Sequence, residues 1–217
     1  MPQIRLLDKS IAEKIAAGEV VERPASVVKE IVENSIDAGA TRVQLGVKDA
    51  GRTLIQVCDN GCGMNREDAQ KCFLPHATSK IRTADDLLQL STMGFRGEAL
   101  ASIAAIAQVE LKTRREEDEI GTRVVIEGGI VKELCETACG IGTTISVKNI
   151  FYNTPARRNF LKSEQIENNH INDEFVRVAL INSSIAFSYV NNEKSVHNLA
   201  VGNMKKRIIA LFGKSLN

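Results

Sequence analysis

The sequence predicts a mixed α/β layer protein whose strands are joined by hairpins rather than by a regular βαβ alternation. Three observations carry this. Short β-branched runs separated by Gly- and Asn-containing turns recur through the chain. Helical patterns with Pro at the start or Gly past the end flank and interrupt those runs. The composition, 43% hydrophobic and 25% charged over 217 residues, is that of a globular domain able to bury a core.

The elements follow in order. Asp8–Ala17 reads as a short helix stopped by Gly18. Pro24–Ala38 is a stronger helix, with Pro in the first turn and Gly39 past the end. Arg42–Lys48 and Thr53–Cys58 are strands split by Asp49-Ala50-Gly51-Arg52, a hairpin signal. Helices are expected over Asn65–Phe73, near Ala84–Leu90 and over Gly97–Ala107. Val109–Arg114, Thr122–Glu127, Ile130–Glu133 and Thr143–Asn149 read as strands. Ala156–Leu161 and Glu167–Ile181 are helical, Ala186–Val190 and Ser195–Leu199 extended, and Lys205–Phe212 helical. No repeat or low-complexity tract interrupts them.

Charge and cysteines narrow the function classes. Lys plus Arg is 28 against 27 for Asp plus Glu, so a net charge of +1 argues against a strongly basic nucleic-acid coat. No apolar run approaches ~18 residues, and the N-terminus lacks the apolar core of a signal peptide. Five cysteines without an export signal point to a reducing, cytoplasmic setting. Cys58 and Cys62 stand four apart, as do Cys135 and Cys139, and His76, His170 and His197 are scattered. That spacing disfavours a zinc site and favours small thiols, buried or partly so.

Three segments carry chemistry. On a wheel of about 100° per residue, Val27, Val28, Ile31, Val32, Ser35 and Ile36 form an apolar half. Glu30 and Asn34 lie on its border as an i, i+4 pair, while Lys29 and Glu33 point furthest outward. A partly desolvated carboxylate can act as a base on water, and an Asn carbonyl one turn away is a hard oxygen ligand suited to Mg²⁺. An ordinary amphipathic helix with a solvated Glu shows the same pattern. The second segment is the strand running into Asp59-Asn60-Gly61-Cys62-Gly63-Met64. There a carboxylate could accept a hydrogen bond from a base amino group, or simply close an Asx turn. The third is Met93-Gly94-Phe95-Arg96-Gly97-Glu98-Ala99-Leu100, whose helix start offers free amides to an anion. Upstream, His76-Ala77-Thr78-Ser79-Lys80 adds two hydroxyls and an ammonium. Neither a P-loop nor a complete dinucleotide fingerprint occurs.

In this order these pieces resemble the ATPase superfamily of gyrase B subunits, heat-shock-ninety chaperones, sensor histidine kinases and MutL, and within it the bacterial MutL mismatch-repair family. The carrying residues are Ile15–Pro24, Lys29–Ala40, Asp59–Gly63, His76–Lys80, Gly94–Leu100 and Phe151-Tyr-Asn-Thr-Pro-Ala-Arg-Arg158. The resemblance covers nearly the whole chain. It implies a two-layer α+β sandwich of the Bergerat ATP-binding type, a mixed and largely antiparallel sheet covered by helices on one face.

It implies Glu30 as general base, Asn34 as Mg²⁺ ligand and Asp59 as acceptor for the adenine amino group. Ala38, Gly61, Gly63, Met64 and Thr143 would contact ATP beside them. Thr78, Ser79 and Lys80 would belong to a mobile lid spanning about residues 74 to 96. Gly94, Phe95, Arg96, Gly97, Glu98, Ala99 and Leu100 would hold the phosphates. The substrate is ATP with Mg²⁺, turned over slowly. The implied partners are a MutS-type mismatch sensor, DNA held weakly and non-specifically, a downstream nuclease or helicase, and a second copy in an ATP-dependent homodimer, with a monomer as the alternative. The implied place is the bacterial cytoplasm, at the nucleoid. In such proteins a lysine from a second domain reaches the γ-phosphate. Residues 1–200 are therefore expected to form the ATP-binding domain and 201–217 the start of a truncated transducer domain.

Two other classes compete. A kinase needs a phosphoacceptor His on a dimerising helix, and none of the three His fits that pattern. A DNA-binding module could use Arg157, Arg158, Lys162, Lys205, Lys206 and Arg207 against phosphates, or these could be solvated helix faces.

Overall fold

The computed structural model describes residues 8–81, 93–94 and 97–213. Its elements are α1 (Lys9–Val20), α2 (Pro24–Asp37), β1 (Arg42–Lys48), a 3₁₀ turn (Asp49–Gly51), β2 (Leu54–Asp59), α3 (Arg66–Lys71), α4 (Ala99–Ile106), β3 (Gln108–Arg114), β4 (Gly121–Glu127), β5 (Ile130–Thr137), β6 (Gly142–Lys148), α5 (Pro155–Phe160), α6 (Glu164–Ile181), β7 (Ala186–Asn191), β8 (Lys194–Leu199) and α7 (Met204–Phe212). The helix expected near Ala84–Leu90 lies outside the described residues, as do Phe95 and Arg96.

The strands form one sheet in the order β5-β4-β3-β6-β2-β1-β7-β8. Every neighbouring pair is antiparallel except β1 with β7, which run parallel. Alternation sets the two faces. Val43, Leu45, Val47, Ile55, Val57, Val109, Leu111, Ile145 and Val147 are buried toward the helices. The opposite face carries polar groups such as Glu110, which pairs with Lys112, Arg123 and Lys148. The sheet is mixed and largely antiparallel with helices on one face, as expected.

Two expectations fail for tertiary reasons. Gly18 does not stop α1, which continues to Val20. A Cβ built on Gly18 would lie 1.6 Å from the Arg157 guanidinium, so this glycine leaves room for that side chain and does not terminate the helix. Glu33 does not point furthest outward. Its side chain is 15% exposed against 27% for Glu30, because α6 packs along that side of α2. Burial raises the Glu33 carboxyl, opposed by the nearby Lys29 ammonium.

Candidate active site

Helix α2 is the spine of the site. Pro24 opens it at the first turn, and Ala25, Val27, Val28, Ile31, Val32 and Ser35 bury its core face. Glu30 and Asn34 are left half-buried on the edge of that face. Glu30 also lines a cleft of about 400 Å³ shared with Glu22, Arg23, Lys29, His170 and Glu174.

The end of β2 meets α2 at Asp59. Its Oδ2 accepts the Ser35 hydroxyl at 2.8 Å, and its Oδ1 accepts the amides of Gly61 (2.9 Å) and Thr143 (3.2 Å). Burial pushes the Asp59 carboxyl above its ordinary value, and those three hydrogen bonds oppose the shift. Strand register explains the convergence, since Asp59 pairs with Thr143 on β6, which pairs with Thr113 on β3. Thr113 Oγ1 accepts the Met64 amide at 2.9 Å and lies 3.0 Å from Thr143 Oγ1.

The glycines of this turn answer first to the protein. A Cβ at Gly61 would lie 2.8 Å from the Ala38 carbonyl, and one at Gly63 would lie 2.1 Å from the Arg114 carbonyl. The Ala38 carbonyl caps α2 by accepting the Cys62 amide at 2.9 Å. Thus Gly61 packs between Ala38 and Asp59, whereas Gly63 and Met64 pack against the β3 end at Arg114 and Thr113.

The third segment folds over the same helix. Gly94 donates its amide to Asp37 Oδ2 at 3.3 Å, and Met93 donates to Asp37 Oδ1 at 3.1 Å. Lys80 reaches Asn34 Oδ1 at 3.0 Å and Asp37 Oδ2 at 2.5 Å. Gly97 has φ +62 and leaves no room for a side chain, because a Cβ would lie 2.4 Å from the Ala77 carbonyl. His76 Nδ1 stands 2.5 Å from Glu98 Oε1. The Lys80 amide donates to Thr78 Oγ1, and Ser79 is exposed. Ala99 and Leu100 open α4, with Leu100 against the core. Residues 76–80 therefore lie against Gly97 and Glu98, while Lys80, Met93 and Gly94 gather at Asp37 and Lys80 alone also reaches Asn34.

Comparison with known proteins places this arrangement. The profile described as histidine kinase-, DNA gyrase B- and HSP90-like ATPase matches residues 22–132. A structure described as the Aquifex aeolicus MutL ATPase domain complexed with ADP superposes with a TM-score of 0.76 at 30% identity, covering 89% of this chain and 70% of that one. The chain belongs to the MutL family. MutL sequences from Porphyromonas gingivalis and Christiangramia forsetii are each 56% identical to it. They align over 98% and 99% of this chain, and over 34% and 35% of their own lengths. The chain thus spans about a third of the length of these MutL relatives. A further structure, described as the N-terminal domain of a DNA repair protein, gives a TM-score of 0.78 at 28% identity over 94% of this chain and 60% of its own.

Around this candidate site, three residues escaped sequence reading. Asp37, whose side chain is only 8% exposed, gathers Lys80, Met93 and Gly94, and its position three residues after Asn34 was the available signal. Ser35 is a polar residue inside an apolar half-wheel, which marked it for a buried hydrogen bond. Thr113 carried no signal, because its role depends on strand register. Of the six basic residues offered as a DNA surface, Arg157 and Arg207 turn inward instead. Arg157 binds the end of α1, and Arg207 binds the carbonyls of Ala179, Ser183, Ile185 and Ala200. Among the described residues no helix is long and apolar enough to cross a membrane.

Proposed function

We propose that this chain is the ATP-binding and slowly ATP-hydrolysing domain of a DNA mismatch-repair protein. One observation supports it above the others. The acidic edge of α2, the Asp59 turn and the amides ahead of α4 meet on a single helix. Adenine would sit at Asp59, between the Met64 and Thr143 sides of the turn, with its amino group donating to the carboxylate. The triphosphate would run along α2 toward the amides of 94–100. Glu30 would take the proton of a water standing in the cleft that it lines.

The donor set fits Mg²⁺. Asn34 Oδ1 is a hard oxygen, and in this structure it already faces a cation, the Lys80 ammonium, beside the Asp37 carboxylate. Bound there with the phosphates, Mg²⁺ would supply charge neutralisation. The chain's own work would be to orient water through Glu30, hold the base through Asp59 and present amides to the phosphates.

On this reading, ATP orders residues around 74–96 and the N-terminal arm, and two such domains pair. The pair links a MutS-type sensor to strand nicking or excision. Residues 1–200 serve as the ATP-binding domain and 201–217 lead into a second one, whose lysine raises an otherwise low rate. Contact with DNA is weak, sequence-tolerant and salt-sensitive, consistent with two of the six basic candidates being turned inward.

Calorimetric titration with a non-hydrolysable ATP analogue tests the reading, with and without Mg²⁺. Saturable binding that strengthens with Mg²⁺, together with protease protection of residues around 74–96, is expected. Absence of binding to folded protein would overturn it.

A further inference from the structure

The block Phe151–Arg158 helped to carry the family resemblance, yet it touches neither Asp59 nor α2's acidic edge. Its contacts run to the far ends of two helices. The Phe151 amide donates to the Ile106 carbonyl at 2.8 Å, and Asn153 Nδ2 donates to the Ala105 carbonyl at 2.9 Å. Both carbonyls belong to the last turn of α4. Arg157 Nη1 donates to the Gly18 carbonyl at 3.0 Å and to the Val21 carbonyl at 3.1 Å, at the end of α1. Phe151 anchors the block in the core, fully buried at φ +62.

These two helix ends matter because of what lies at the other end of each connection. Helix α4 begins at Ala99, inside the run Gly94–Leu100 assigned to the phosphates. Helix α1 ends in the elbow Val21-Glu22-Arg23, which turns straight into α2 at Pro24. Glu30 is the seventh residue of α2, about 9 Å along the axis at 1.5 Å per residue. Over that length a tilt of roughly 6° moves a side chain by about 1 Å, and an error of that size at a reacting centre costs up to about a hundredfold in rate.

We propose that Arg157 is a positioning residue for hydrolysis. By tying off the α1–α2 elbow from the loop that also ties off α4, it fixes Glu30 relative to the phosphate-binding amides. Gly18 belongs to the same device. The guanidinium occupies the volume where a side chain at position 18 would stand, with 1.6 Å from a built Cβ to Nη2. A glycine inside α1 weakens that helix, and here it leaves the space that the Arg157 guanidinium fills. Both bonds leave from Nη1, which stands one atom further from the backbone than a lysine ammonium, and this extra reach explains why an arginine is used.

The effect on turnover rests on the hydrolytic reading above, whereas the clamp itself does not. The test compares wild type with Arg157→Lys, Arg157→Ala, Gly18→Ala and the double variant Gly18→Ala/Arg157→Ala. Three quantities are read: Kd for ATP with Mg²⁺, single-turnover hydrolysis at saturating ATP, and backbone amide exchange over residues 18–24. The expected result is a fall of about tenfold in hydrolysis for Arg157→Lys and Gly18→Ala, with Kd within threefold of wild type and faster exchange at 18–24. An alanine at position 18 would ordinarily favour a helix, so loss in that variant is not a simple folding effect. The double variant should be no slower than Arg157→Ala alone. Folded single variants with wild-type hydrolysis or wild-type exchange at 18–24 overturn the inference. If wild type itself neither binds nor hydrolyses ATP, the functional reading fails, and the exchange measurement still decides whether Arg157 holds the elbow.

Discussion

Replacing Asp59 by Asn separates recognition of the base from support of the fold. The structure shows why the variant should stay folded. An asparagine keeps one oxygen to accept the Gly61 and Thr143 amides. Its NH₂ then replaces Oδ2 and faces Ser35 Oγ, which lies 2.8 Å from Oδ2 and 3.1 Å from the Ile31 carbonyl. The Ser35 hydroxyl has one proton. It can turn that proton to Ile31 and accept from the new NH₂, so no buried group is orphaned.

The native carboxyl is raised by burial, so its charge is a cost to the fold. A carboxyl raised in the folded state favours folding most below its unfolded value, and that advantage fades as pH rises through the folded value. At neutral pH the neutral amide should therefore leave stability equal or slightly higher. Binding should suffer much more. The adenine amino group would lose a charged acceptor and meet an NH₂ donor, a loss of about 1.5–3 kcal/mol, or roughly 10- to 150-fold in Kd. Titration calorimetry with ATP and with inosine triphosphate, which lacks the amino group, reads the effect. Wild type should prefer ATP and the variant should not. A folded Asp59→Asn protein that still binds ATP as wild type does would refute the assignment of Asp59 to the base.

Glu30→Gln should keep nucleotide affinity and lose hydrolysis by about 10²–10⁴-fold, measured by phosphate release under single-turnover conditions. Asn34→Ala should weaken binding in the presence of Mg²⁺ by roughly tenfold or more, near 1.4 kcal/mol, while leaving the metal-free affinity in place; equal losses with and without metal would count against the ligand role. Glu110 is pushed up by burial, but hydrogen bonds from Arg123, Lys112 and Lys148 outweigh this and hold it down at about 2. Its contribution is present above the ordinary value of 4.5 and disappears as pH falls toward 2. Glu110→Gln should therefore cost roughly 0.5–1 kcal/mol at pH 7 and almost nothing at pH 2, read from urea midpoints. Thiol labelling should modify the exposed Cys62 first. Cys72, raised to about 12 by burial, should react only on unfolding.

Much of this was legible in the residues because local signals and tertiary packing agreed. Pro24 and Gly39 bracket α2, the 49–52 turn makes the hairpin between β1 and β2, and alternation in 108–148 gives β3, β4 and β6 close to their observed bounds. The site's spine was visible for the same reason: Glu30 and Asn34 lie at the boundary of an apolar stripe. What escaped depends on distant neighbours. Gly18 looks like a terminator until Arg157 is seen against it. Glu33 looks solvated until α6 is laid beside α2. Thr113 acquires meaning only when β3, β6 and β2 are set in register. Strand β5 runs on to Thr137, beyond the expected Glu133, because pairing with β4 rather than local propensity fixes its end.

The single parallel joint has a consequence for how the chain assembles. Val47 on β1 pairs with Asn191 on β7, across most of the sequence. Every residue assigned to nucleotide contact or catalysis, from Glu30 to Thr143, lies in the part made before β7 exists. Until that strand docks, β1 presents a bare row of amides and carbonyls, the kind of border that recruits other chains. Closing it demands contacts of very long sequence separation, which form slowly. A newborn chain therefore has a nearly finished catalytic wing joined to an unsealed seam, and chaperone dependence or misassembly should concentrate there rather than in the pocket.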